Sequence, residues 1–385
     1  MFKTSKLLLV FILLSLVSLT ADIVYEGSRS IGGSYLESIN APPESAAIAS
    51  FGDFIGYATR FIAGLIASLY SSSNLLWLFT ITGYLAILSL PILAFTNNWK
   101  IVVILYLVER IGKGMRTPAR DTILADVTEG VKRGRAFGIH ELFDQIGALT
   151  GPVIVALCIT ISGYRLAYTV LFIPALIAIS LVITARNLYP SIKSIEITRR
   201  RLNLEKMSRK YWLYTLSMIF LSLGYIHWFI ISYFLKKWSI LLDHEIALAY
   251  TIAMGIDAAL ALPVGYLYDR FRLKSLYLAP LTALFIPLLL SISSSSRIIP
   301  YLMASLWGIV MAIYEVNMRV AVADLVEPSV RALAYGLYGL IYGVFWAIGG
   351  FILTYLINIS IVSTIIYVTV VETASITTLY YLNKR

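Results

Sequence analysis

Apolar runs of about 20 residues recur along the whole chain, separated by short polar segments, and each is long enough to cross a bilayer as a helix. None alternates apolar and polar positions as the strand of a membrane barrel does. The runs predict twelve helices. Those of the first half lie at about 6–35, 45–69, 75–95, 100–118, 134–160 and 165–186. Those of the second half lie at about 211–235, 246–268, 275–294, 299–322, 331–357 and 360–382. The expectation is an all-α integral membrane protein built from two pseudo-symmetric six-helix lobes, residues 1–186 and 211–385. A basic cytoplasmic linker, 187–210, joins them and carries Arg199, Arg200 and Arg201. Met1 to Leu19 has the Lys3 and Lys6 start of a signal peptide, but the apolar stretch continues through Asp22 and Glu26 to about Tyr35. It therefore reads as a retained first helix.

Composition agrees with this class. The 385 residues are 59% hydrophobic and only 14% charged, far less charge than a soluble domain carries. Cys158 is the single cysteine, which excludes an internal disulfide framework and any multi-cysteine metal site. The net charge of +10 would suit a nucleic-acid binder if it formed a patch, but the basic residues sort by side of the membrane instead. One side holds Lys3, Lys6, Arg116, Arg120, Lys132, Arg133, Arg135, the linker, Arg270, Arg272, Lys274, Arg331, Lys384 and Arg385. The other holds Lys100, Arg165, Lys236, Lys237 and Arg297. By the positive-inside rule the first side is cytoplasmic, and twelve crossings put both termini there. The expected location is the cell membrane.

The halves repeat. ADVTEGVKRGRAFG from Ala125 matches ADLVEPSVRALAYG from Ala323, aligning Asp126, Glu129, Arg133, Ala136 and Gly138 with Asp324, Glu327, Arg331, Ala334 and Gly336. The same offset sets Gly151 against Gly349. Two six-helix halves are a duplicated transporter plan.

Three motifs add to that plan. Gly265, Asp269, Arg270, Arg272 and Lys274 stand in GYLYDRFRLK between helices 8 and 9; Arg110, Gly112 and Gly114 stand in RIGKG of helix 4; Gly147, Gly151 and Pro152 stand in GALTGP of helix 5. Together they resemble the signature loop, the helix 4 motif and the antiporter-associated helix 5 motif of the major facilitator superfamily. The chain departs from that pattern in three places. Ser68 replaces the aspartate of the first signature loop, Lys113 stands where the helix 4 motif is usually uncharged, and Val155 and Ala156 replace the trailing glycine pair of helix 5. The resemblance implies rocker-switch alternating access, with helices 1, 4, 7 and 10 lining a central cavity. It also implies a gating role for Gly265, Asp269, Arg270, Arg272, Gly147, Gly151 and Pro152, with Asp269 pairing with a base or a helix end.

Charges inside a bilayer mark candidate sites. Asp22, Glu26 and Arg29 share one face of helix 1 at i, i+4 and i+7, an arrangement that can hold or release a proton or staple helix 1 to a neighbour as an ion network. With Asp53 of helix 2 they give the candidate proton-coupling set Asp22, Glu26 and Asp53. Tyr25, Arg29, Arg110, Lys113, His227, Trp228 and Glu315 are the candidate substrate-binding residues. Glu109, Lys113, Arg116 and Arg120 form one stripe of helix 4, and the last two are expected to anchor the loop that follows. His140 offers a proton relay or a polar contact, and Glu141 and Asp144 are expected to pair with the bases of helix 4. Asp257 needs a partner from another helix, a proton or a cation, and Glu315 and Arg319 form an i, i+4 pair.

No nucleotide loop, zinc spacing or nucleophile elbow is present, so no enzyme activity, metal or cofactor is expected. What the resemblance implies is a monomeric secondary transporter whose partners are protons, a small-molecule substrate and membrane lipid, with no nucleic acid. Its helix 5 motif points to proton-coupled export by antiport. The alternatives are proton-coupled uptake of an organic anion and a non-transporting membrane sensor.

Overall fold

Each expected span is helical in the computed structural model, which describes residues 5–70, 72–128, 133–192, 207–327 and 330–384. Lys3, Lys132, Arg199 to Arg201, Arg385 and most of the expected linker lie outside the described residues, as do the side chains of Ser68, Arg133 and Arg135. Among the described residues eight helical stretches are long and apolar enough to cross a membrane, and the two longest, of 53 and 49 residues, each suffice for two crossings. The remaining spans are helix 2, built from Glu44–Ser50 and Gly52–Leu69, and helix 4, Trp99–Val127. Helix 4 falls below the apolar threshold because it carries the charges on which the site is built.

Helices 5 and 6 meet at Ser162 and Gly163, between the two expected spans, and Gly163 has φ +69, a conformation that glycine adopts without strain. Other spans, helices 7 and 10 among them, are interrupted where the sequence pattern reads as continuous. Helix 7 consists of Arg209–Gly224 and Trp228–Lys237. Between them Tyr225 is extended, and the Nδ1 of His227 accepts the Phe229 N–H at 3.1 Å to start the second piece. Helix 10, from Ile299, carries a π-turn at Tyr314–Met318.

Helix 4 runs nine residues beyond the expected end, through Pro118 to Val127. Arg116 and Arg120 are thus helical rather than loop anchors. Arg116 is almost fully buried because its guanidinium has protein partners: the Gly83 carbonyl at 3.0 Å and Glu109 at 3.2 Å.

The chain divides into two compact units. One comprises Met1–Ile31 with Ile55–Arg200; the other comprises Gly32–Phe54 with Arg201–Arg385. Residues 32–54 join the second unit because they pack tightly on helices 7 and 11. The Tyr233 hydroxyl donates to the Ala41 carbonyl at 2.7 Å, and Gly33 lies directly on the backbone of Phe229.

Glycine contacts recur in both units. In the first, Gly151 of helix 5 leaves no room for a side chain against the Ile23 carbonyl of helix 1. In the second, its repeat equivalent Gly349 of helix 11 approaches Leu223 of helix 7, where a Cβ would lie 2.6 Å from the carbonyl oxygen. Small residues at such positions let backbones approach in the bilayer, where there is no hydrophobic drive between helices.

Candidate functional site

In the first unit, helix 1 presents Tyr25, Glu26 and Arg29 to helix 4, all three buried. Arg29 donates to the Tyr25 hydroxyl at 2.7 Å. Two more cations lie over the same ring: Arg110 Cζ at 3.6 Å and Lys113 Nζ at 3.8 Å from the centroid, with Arg29 Cζ at 5.6 Å. A ring face attracts cations through its quadrupole, but three positive groups on one ring need acids as well. Glu109 supplies one, bridging Arg110 and Arg116. Asp22 lies half-buried within electrostatic reach of Lys113, Glu26 and Asp144. Lys113 is only partly buried and makes no ion pair among the described residues. It is therefore the cation of this cluster best placed to take an outside anion.

Helix 5 closes on this group from another side. Gly147 and Gly151 lie against the helix 1 backbone, and a Cβ on Gly147 would sit 3.0 Å from that of Asp22. Pro152 lies within the helix. The expected pairing of Asp144 with helix 4 is not formed: among the described residues Asp144 makes no ion pair, and its Oδ1 is buried without a hydrogen-bond partner. Two of the bases of helix 4 have other partners, Arg116 in Glu109 and Arg120 in Asp121 and Ser18. His140 meets Ser15 at 3.2 Å, a buried polar contact.

In the second unit Asp53 and His227 come together, at 2.9 Å between Oδ2 and Nε2. Because Nδ1 accepts from Phe229, the ring proton sits on Nε2 and is donated to the carboxylate. The ring also packs on Trp346 at 4.7 Å. His227→Ala is expected to cost roughly 1.5–3 kcal/mol, as for a hydrogen bond to a charged group. Thermal unfolding of the purified protein checks this, with Asp53→Asn expected to lose less because an amide still accepts.

Trp228, a candidate substrate-binding residue, is fully buried between Tyr250 and Trp307 at 4.9 and 5.6 Å. Glu315 is half-buried, and its expected ion pair with Arg319 is not formed. The π-turn between them widens the helix and moves residue 319 off the row of Glu315.

At the signature loop, Asp269 and Arg270 are exposed and Asp269 makes no ion pair among the described residues. The acid that ties the loop is Asp324, which accepts from Tyr268 at 3.0 Å and from Arg272 at 3.4 Å. Gly265 has space around it, with Val316 the near neighbour at 3.8 Å from a Cβ.

One intramembrane acid escaped the sequence reading altogether: Glu372 of helix 12, fully buried. Its signal was available, a lone carboxylate in the apolar run VVETAS.

Duplicated six-helix halves with a charged cluster between helices 1 and 4 define a polytopic membrane transporter fold. The chain belongs to the Major Facilitator Superfamily, whose family model matches residues 8–350 and 228–385. An uncharacterized protein of Mycobacterium tuberculosis (strain ATCC 25618 / H37Rv) is 31% identical over 366 residues, 92% of this chain and 88% of that one. An uncharacterized MFS-type transporter of Methanocaldococcus jannaschii is 28% identical over 304 residues, 75% of this chain and 74% of that one. The nucleoside transporter NupG has the same fold, with a TM-score of 0.71, 15% identity, and coverage of 97% of this chain and 98% of that one.

Proposed function

We propose that the protein is a proton-coupled secondary transporter of a small organic anion, working by alternating access of two six-helix lobes, residues 1–186 and 211–385, around a midplane site. The observation that carries this reading is the convergence of Arg29, Arg110 and Lys113 on the Tyr25 ring, beside Asp22 and Glu26. The two carboxylates compete with an incoming anion for the same cations. A proton on either removes the competitor, so proton and anion bind together and move together. Lys113 takes the substrate charge, and the Tyr25 ring supplies an apolar contact.

A second reading is proton-coupled export by antiport, supported by the close packing of Gly147 and Gly151 on helix 1 beside Asp22. Here the substrate is a cation that displaces the proton from the carboxylates.

Proteoliposomes with a pH dye trapped inside separate the two. Pools of organic anions, neutral compounds and cations are applied under a pH gradient, to wild type and to the Asp22→Asn, Glu26→Gln double variant. Inward proton movement with an anion pool, lost in the variant, is the expected result. Proton movement opposite to a cationic substrate selects antiport instead. Substrate flux without proton movement in either protein overturns both.

A further inference from the structure

Glu372 sits in helix 12, Ile361–Lys384, with no exposed surface and, among the described residues, no hydrogen-bond partner for either carboxyl oxygen. It is not part of the cluster at Tyr25. What it abuts is the break in helix 7. A Cβ at Gly224 would run into Glu372 Oε1 and lie 3.1 Å from its Cδ and 2.8 Å from Val371 Cγ2. Only a glycine leaves room for the carboxyl there. The two helices are fixed in this register by Ser375, whose hydroxyl donates to the Ser217 carbonyl at 2.9 Å.

The break itself is held by two indoles. Trp346 Nε1 donates to the Tyr225 carbonyl at 2.7 Å, and Trp307 Nε1 donates to the Ile226 carbonyl at 3.0 Å. These donors are committed to the backbone. A carboxylate beside Gly224 would instead meet the C-terminal end of the preceding helix, where the carbonyls carry partial negative charge.

Among the described residues no cation is at hand. On helix 7, Arg209 and Lys210 lie about 20 Å away along the axis. On helix 11, Arg331 lies toward that same end, where Tyr211 bonds to Ala334, and the other titratable groups are Tyr335, Tyr338, Tyr342 and Tyr355. The 3-10 segment Arg272–Tyr277 offers Arg272, Lys274 and Tyr277, and Tyr277 interacts near Asn383 and Tyr380 at the far end of helix 12. The helix 9 pieces Leu278–Ala283 and Phe285–Ser291 carry no titratable group. At the break, the Tyr225 hydroxyl donates to the Trp307 carbonyl and His227 is engaged by Asp53. On helix 12, Tyr380, Tyr381 and Lys384 lie near its end, and Tyr367 is the titratable side chain within electrostatic reach of Glu372. A bare carboxylate in such surroundings is strongly disfavoured relative to the neutral acid.

We propose that Glu372 is a proton-binding site that controls the helix 7 break. With a proton the side chain packs dry against Gly224; on losing it the carboxylate leaves this contact and the break changes shape. The proposal goes beyond the transport reading and can be tested without a substrate.

The test is infrared spectroscopy of the purified full-length protein in lipid bilayers, titrated from about pH 5 to 9, with tryptophan emission followed in parallel. Wild type is expected to show the C=O stretch of a protonated carboxyl that is missing in Glu372→Gln. The band disappears as pH rises, and emission changes with the same midpoint as the Trp307 and Trp346 bonds shift. Glu372→Gln is expected to lose that emission change. Gly224→Ala gives a second handle: its Cβ crowds the carboxyl, so band frequency and midpoint both move. Three outcomes would overturn the proposal: no band assignable to Glu372 at any pH, a band that persists throughout, or an emission titration unchanged in both variants.

Discussion

Glu109→Ala is expected to abolish transport and to destabilise the protein by about 3–5 kcal/mol, the usual effect of removing one partner from a buried ion pair. Glu109 is only 1% exposed, and its two oxygens hold two guanidiniums that are themselves buried. Arg110 Nε donates to it at 2.7 Å and Arg116 Nη2 at 3.2 Å. Without the carboxylate, two desolvated charges lose their ionic partner, and Arg110 adds its field to Lys113 and Arg29 over Tyr25. The charged cluster at Tyr25 would then carry excess positive charge and change shape together. Thermal unfolding in detergent and uptake into proteoliposomes read the two losses. Asp121→Ala serves as the contrast. Its carboxylate is 44% exposed in the pair with Arg120, so a loss within about 1 kcal/mol is expected. A Glu109→Ala protein as stable as wild type would mean that water reaches both arginines.

Gly33→Ala is the second large effect. The new methyl group would fall on the Phe229 carbonyl oxygen and lie 2.8 Å from the Tyr233 amide nitrogen. Both are backbone atoms of Trp228–Lys237, so neither can swing aside. Helix 1 must move off helix 7 at this level, at an overpacking cost of about 1–3 kcal/mol, and a lower transport rate is expected with it. Spin labels at Glu37 and Lys237 should report a longer distance in the variant. Gly138→Ala, with nothing within 4 Å of its Cβ, should behave as wild type. An unchanged distance and an unchanged rate in Gly33→Ala would show that the contact plays no part in the cycle.

These predictions depend on information that the chain displays very unevenly. Asp22, Glu26 and Arg29 stand out in an apolar helix, and their shared face follows from helical spacing alone. Helix 4 is equally plain as a charged stripe, yet its partners are not. Nothing in the spacing says that Glu109 takes Arg110 and Arg116 while Lys113 stays without an ion pair. Asp53 and His227 are 174 residues apart, and no local rule connects them. Trp228 was a candidate for substrate binding, and its burial among Tyr250 and Trp307 follows from no local rule. The break at Gly224 to His227 is likewise held by distant residues, the indoles of helices 10 and 11. Glu372 was available to the rule used for every other buried acid, and only its neighbours show why it matters.

The sequence by itself determined the twelve apolar spans, the duplication, the charged faces of helices 1 and 4 and the superfamily. Hydropathy, charge and periodicity are properties of neighbouring residues, and a bilayer enforces them one helix at a time. The tertiary structure alone decided which acid meets which base, where helices 7 and 10 depart from regular winding, and that residues 32–54 pack with the second half. Those outcomes depend on the close approach of backbones far apart in the chain, made possible by glycines such as Gly33, Gly151 and Gly224, whose lack of a side chain matters only against a particular neighbour.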